Sequence, residues 1–213
     1  MKRHRVHNID LEDIRPFVNI SFTWPSPETP HNLLFNGKTW WEYMNEYFAE
    51  IYDKVGINKT QAIKYTSQVQ NEYKNLEKWH LYDVIPTLRD AIENNYKNII
   101  LLNHILDLHE IIDKLNIAKY FKEIYTSEKI GYEKPNLKFY AHVINDLKIE
   151  KTECVMIGDS YNADIAGALR ANIQAILVRK PNDKNYKFYS QDFRGILKII
   201  RKGSTIEESI FVN

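Results

Sequence analysis

An α/β fold, with a mostly parallel sheet covered by helices, is what this sequence predicts, and three observations predict it. From Tyr82 onward, short fully apolar runs recur, Ile99-Ile100-Leu101-Leu102, Cys154-Val155-Met156-Ile157 and Ala175-Ile176-Leu177-Val178 among them. Runs of that length without polar alternation are the pattern of strands buried on both faces. Between them lie amphipathic stretches long enough to be crossover helices, as parallel neighbours require. Each run also gives way to a polar or turn residue, Asn103 after the first and Gly158-Asp159 after the second.

Taken in order, residues 1–16 are polar, and Phe17-Val18-Asn19-Ile20-Ser21-Phe22 reads as a strand. Trp24-Pro25-Ser26-Pro27-Glu28-Thr29-Pro30 is a proline-broken loop. From Lys38 to Val55, Trp40, Tyr43, Met44, Tyr47, Phe48 and Ile51 recur at three- and four-residue steps, predicting a helix that Gly56 ends. A second helix is expected from Thr60, as N-cap, to Leu76. Together they form a small aromatic-rich helical module. There follow a helix from Val84 to Asn95, a strand Asn98–Leu102, a helix Asp107–Leu115 and a strand Glu123–Ser127. A helix from Pro135, in first position, to Leu147 precedes the Cys154–Ile157 strand and its helix. A strand Gln174–Val178 and a helix Phe193–Ile200 complete the pattern.

Composition narrows the function. The net charge is +1, from 29 basic and 28 acidic residues, so no global field draws the chain to nucleic acid or an anionic membrane. No stretch reaches the roughly 20 apolar residues of a membrane span, and no apolar run follows the basic start as in a signal peptide. The single cysteine, Cys154, sits within an apolar run and suits a reducing, cytoplasmic setting.

The chemistry gathers around Gly158-Asp159-Ser160-Tyr161-Asn162-Ala163-Asp164. A carboxylate at the tip of a buried strand stands where open α/β sheets collect ligands. With a second carboxylate in the first turn of the next helix, Asp159 and Asp164 can hold a hard divalent cation such as Mg²⁺ through oxygen. Asn103 and Lys134 map to the same rim of the sheet, where helix N-termini meet phosphate-like anions. Taken singly, each has an ordinary explanation: a solvated lysine, a turn asparagine, an acidic helix cap.

In that order these residues resemble the haloacid dehalogenase-like (HAD) superfamily of hydrolases, most of which are Mg²⁺-dependent phosphatases. Ile157 to Ala168 looks like its fourth motif, Gly131-Tyr132-Glu133-Lys134-Pro135 like its third, and Tyr82 to Leu88 like the return from a helical cap. The resemblance implies a Rossmann-like core from residues 1–23 and 82–213, and a cap from residues 24–81. It implies a small phosphorylated substrate. It also implies that Lys134 holds the transferred phosphoryl group, Asn103 faces its oxygens, Asp159 binds Mg²⁺ and Asp164 supports the metal shell.

Two departures accompany it. Leu102 stands where the family's second motif has a hydroxyl residue, and such a donor is worth on the order of 10²–10³ in rate. The first motif, a strand ending in Asp-x-Asp-x-Thr, has no clear counterpart; the nearest is Ile9-Asp10-Leu11-Glu12-Asp13, with Asp10 as nucleophile. The resemblance implies that the first strand lies in the middle of the sheet, between the strands ending at Asn103 and Asp159, and that slot then calls for residues 4–9, residues 17–22 or a segment of another chain. An incomplete sheet is a reason to form homo-oligomers. A catalytically impaired binding or regulatory protein is the alternative function.

Other candidates are weaker. His4 and His7 lack a supporting shell for a metal. His104 suits the crevice or the surface. Trp40 and Trp41 suit packing more than a substrate wall. Arg179, Lys180, Lys184 and Lys187, with aromatics between them, fit a solvated loop better than stacking on nucleic acid.

Overall fold

The computed structural model describes residues 9–18, 28–30, 38–73, 75–79, 81–103 and 108–203. The chain divides into two compact units, Met1–His80 and Leu81–Asn213.

The first unit is helical among its described residues: α1 (Leu11–Val18), α2 (Trp40–Lys54) and α3 (Lys59–Tyr73). The three- and four-residue spacing in α2 buries Met44, Tyr47 and Ile51 along one stripe. Thr39 starts that helix with a capping box, its hydroxyl accepting from the Glu42 amide while the Glu42 carboxylate accepts from the Thr39 amide. Gly56 follows the last turn at φ 87°, a conformation that glycine adopts without a Cβ clash. The cap of α3 is Asn58, which accepts from the Gln61 amide, rather than the expected Thr60. Trp40 and Trp41 meet edge to face, 4.8 Å between ring centres, and pack around Met44 and Tyr47, so packing is what they do here.

The expected strand at 17–22 is corrected in part. Phe17 and Val18 close α1, and residues 19–22 lie outside the described residues. Ile14, Phe17 and Val18 pack on α2, and the Tyr47 hydroxyl donates to the Val18 carbonyl at 2.6 Å. Residues 11–18 therefore pack with the helices of the first unit; the sequence reading had placed 1–23 with the core. Pro16 carries no amide to pair, and the α1 face of Ile14, Phe17 and Val18 is covered by α2 rather than by strands.

The second unit carries the sheet. Its elements are α4 (Ile85–Glu93), β1 (Ile99–Leu102), α5 (Leu108–Lys114), β2 (Glu123–Thr126), α6 (Ser127–Ile130), α7 (Leu137–Leu147), β3 (Val155–Gly158), α8 (Gly167–Arg170), β4 (Gln174–Val178), β5 (Tyr189–Ser190) and α9 (Ile196–Gly203). Among the described residues every pairing is parallel, in keeping with the mostly parallel sheet expected: Ile99 opposite Glu123 for β1 and β2, Val155 opposite Gln174 for β3 and β4, and Leu177 opposite Tyr189 for β4 and β5. Helix α7 starts at Leu137, capped by Asn136, so Pro135 precedes the helix instead of opening it.

The pairings form two groups, β1-β2 and β3-β4-β5. Among the described residues no strand joins β1 to β3. Burial follows that division: Ala175 to Val178 of β4, flanked on both sides, are buried, while all four residues of β1 are half-buried. Of the segments considered for the slot, residues 4–8 and 19–22 lie outside the described residues. One core of Met156, Ile165, Ala168, Ala175 and Leu177 packs with Tyr140 of α7, and Ile176, Val178 and Ile196 form a second with α9.

Candidate functional site

The C-terminal ends of β1, β3 and β4 open on a cavity of about 250 Å³. Leu102, Lys134, Gly158, Asp159, Asp164 and Arg179 are among its walls. Three of the four predicted site residues, Lys134, Asp159 and Asp164, are thus brought to one place. The fourth, Asn103, is tied to it through Lys134.

Asp164 gets there through a wide turn. After β3 the chain passes Asp159 and enters a π-helical turn over Tyr161–Ala166, where the Ser160 carbonyl accepts from the amides of both Asp164 and Ile165. Ser160 caps that turn through the Ala163 amide. The widened turn folds the Asp164 side chain back over Gly158, where an added Cβ would lie 2.3 Å from the carboxylate. Glycine is required there by close approach, since its backbone needs no left-handed conformation.

The Lys134 ammonium, 6% exposed, donates to Asp164 Oδ1 at 2.6 Å and to the Leu101 carbonyl at 2.8 Å. Asp164 Oδ2 accepts from the Ser160 amide at 3.0 Å. Both oxygens of that carboxylate are therefore engaged inside the protein, which is how a buried charge is sustained. Lys134 is held in turn by Asn103. Its backbone amide donates to Asn103 Oδ1, and its carbonyl accepts from Asn103 Nδ2, both at 2.8 Å. The sequence reading expected Asn103 to face phosphoryl oxygens; in the structure its side-chain amide is matched to one peptide unit and positions the lysine.

Gly167 and Tyr140 hold the next turn. A Cβ at Gly167 would lie 2.6 Å from the Tyr140 hydroxyl and 2.9 Å from Pro135 Cβ. The Tyr140 hydroxyl donates to the Ala163 carbonyl at 2.7 Å. Burial, and then the charge of Asp164, push that hydroxyl well above the ordinary tyrosine range.

Asp159 and Arg179 are different. Asp159 is 43% exposed, and its carboxylate lies 4.0 Å from the Arg179 guanidinium. Arg179 follows β4 at φ 68°, its amide donating to the Ser190 carbonyl, and its guanidinium carbon lies 3.3 Å from the centre of the Tyr82 ring. Arg179 had been read as part of a solvated loop. The distinguishing signal was its place directly after a buried strand, the same as that of Asp159.

Asp10 is not at a strand end. Its carboxylate accepts from the Glu12 amide, and its own amide donates to Asp13, so it caps α1 in the first unit. Cys154 is half-buried, with burial and then Glu153 raising its thiol. His4, His7 and His104 lie outside the described residues. No group of three His, Cys, Asp or Glu side chains is assembled among the described residues. The oxygen donors at hand suit a cation that completes its shell with water and a phosphate, as Mg²⁺ does. No described helix is long and apolar enough to cross a membrane.

A parallel sheet whose strand ends carry two aspartates and a buried lysine around one cavity defines an α/β protein with its ligand crevice at the strand ends. The haloacid dehalogenase-like hydrolase family matches residues 31–178, and the chain belongs to that family. The matched region begins well after Asp10. The chain is similar to a glyceraldehyde 3-phosphate phosphatase of Methanothermobacter thermautotrophicus, 33% identical over 43% of this chain and 41% of that protein. It thus spans less than half the length of that relative. It is also similar to haloacid dehalogenase-like hydrolase domain-containing protein 3 of Bos taurus, 23% identical over 83% of this chain and 72% of the other. In fold it is similar to the HAD-hydrolase YfnB of Bacillus subtilis, whose structure is bound to magnesium. That similarity has a TM-score of 0.67 at 16% identity, covering 91% of this chain and 84% of that one.

Proposed function

We propose that this chain is a phosphohydrolase that takes a small phosphate ester, together with Mg²⁺, at the cavity of its sheet. The observation that carries the proposal is the Lys134 ammonium. It has three protons to donate, two are given to Leu101 and Asp164, and the third is available to an anion in the cavity. The neighbouring carboxylate with open coordination is Asp159, the residue that would hold the cation; Asp164 would act through Lys134 and the Ser160 amide. Mg²⁺, when bound, supplies positive charge against the phosphoryl oxygens. Phosphatase names among the relatives support a phosphate ester as substrate.

Hydrolysis through an aspartyl-phosphate needs one more carboxylate, and among the described residues lining the cavity the carboxylates are Asp159 and Asp164. That observation, with Leu102 in place of a hydroxyl donor, favours a second reading: a phosphoester-binding protein that keeps the crevice without the chemistry. The test is turnover of p-nitrophenyl phosphate with and without Mg²⁺, beside calorimetric binding of methylphosphonate. The enzyme reading predicts Mg²⁺-dependent turnover that falls by on the order of 10²-fold or more in Asp159→Asn. Mg²⁺-dependent binding without turnover assigns the second reading. Neither binding nor turnover would sink both.

A further inference from the structure

We infer that Arg179 and Tyr82 form a second anion-binding position at the rim of the cavity, so that the preferred ligand carries a carboxylate or second phosphate beyond the group at Lys134. The inference rests on the proposed function for the first anion and on separate geometry for the second. Besides Lys134, Arg179 is the cation among the residues lining the cavity. Lys134 is neutralised by Asp164 at 2.6 Å, whereas Arg179 stands 4.0 Å from Asp159, too far for a direct hydrogen bond.

Its guanidinium is nevertheless held. Its guanidinium carbon lies over the Tyr82 ring, 3.3 Å from the centre, and the backbone behind it is fixed by the bond from its amide to Ser190. A guanidinium stacked on a ring keeps its in-plane N–H groups for a bidentate partner, the arrangement in which arginine recognises carboxylate and phosphate. The side chain is 26% exposed, enough for a ligand to reach and little enough to strengthen the contact. Asp159 opposes an anion at this place until a cation neutralises it, so the second position should act only when Mg²⁺ is present.

The experiment is isothermal titration of the full chain with ω-carboxyalkylphosphonates of two to four carbons, each compared with the plain alkylphosphonate of equal length, with and without Mg²⁺. These probes cannot be hydrolysed, so binding is read without turnover. With Mg²⁺, the best carboxylated probe should bind about 10-fold or more tighter than its plain counterpart. In Arg179→Gln that ratio should fall to about one, with Arg179→Lys and Tyr82→Leu in between. Thermal melts of the variants establish that they are folded. A ratio near one in the wild type at every length, or a ratio retained in Arg179→Gln, overturns the inference. Failure of the plain alkylphosphonates alone removes the site at Lys134 and the proposed function with it. Arg179-dependent binding of a carboxylated probe would still uphold the second position, and binding of neither probe overturns both.

Discussion

Two acid–base pairs face the same cavity, and they differ in every respect that decides what a pair can do. Lys134 and Asp164 are buried at 2.6 Å, and each is further bonded to backbone. Asp159 and Arg179 are 4.0 Å apart at the open side, and Arg179 has a ring rather than a carboxylate against its face. The first pair is part of the scaffold, with one ammonium proton left over. The second is a pair of charges with little to lose by exchanging each other for a ligand, because a solvent-exposed ion pair is worth only about 0–1 kcal/mol.

The largest expected effect comes from breaking the buried pair. Asp164→Asn or Lys134→Met leaves an uncompensated buried charge, or one weakly compensated, and should lower stability by about 3–5 kcal/mol in urea unfolding. A double variant, Lys134→Met with Asp164→Leu, should lose much less than the sum of the two, because the unpaired charge is gone. Additive losses would refute the pairing as the source of the effect. Next comes Gly158→Ala, which forces a Cβ against the Asp164 carboxylate and should cost about 1–3 kcal/mol.

Tyr140→Phe removes the bond to Ala163 and should cost about 1 kcal/mol near neutral pH. Its pH dependence has a definite sign. Because the folded hydroxyl is raised above its unfolded value of about 10, its contribution is fully present below that pH and is lost as pH rises toward the folded value. Wild-type melting temperature should therefore fall more steeply above about pH 10 than that of Tyr140→Phe. The smallest stability effect belongs to Asp159→Asn, within about 0.5 kcal/mol, although the same substitution should abolish Mg²⁺ binding in calorimetry. Retained Mg²⁺ binding would remove Asp159 as the cation's ligand.

The course of the sheet was legible because short apolar runs such as Ile99–Leu102 and Ala175–Val178, bounded by polar or turn residues and spaced by amphipathic stretches, fit the strands of a parallel sheet. The rim residues were legible as a set because strand-ending positions share one edge in any parallel sheet. The partner of Asn103 was not legible: an asparagine at a strand end looks the same whether it faces a ligand or a peptide group, and only the path of residues 131–136 past it sets its bonds to Lys134. Asp10 was ambiguous for a similar reason. An acid followed by Leu-Glu-Asp suits a strand tip and a helix N-terminus alike, and packing of Ile14, Phe17 and Val18 on α2 selects the helix. Tyr82 and Arg179 are 97 positions apart by their numbering, and nothing local pairs them.

By itself, the sequence determined the parallel α/β core, the helical module before it, and the presence of Lys134, Asp159 and Asp164 at one end of the strands. Periodicity and position along a strand are local properties, and they carry that much. Tertiary structure alone decided which charges are committed and which are available. That division depends on distances of 2.6 and 4.0 Å between residues far apart in the chain, and burial amplifies the shorter of them.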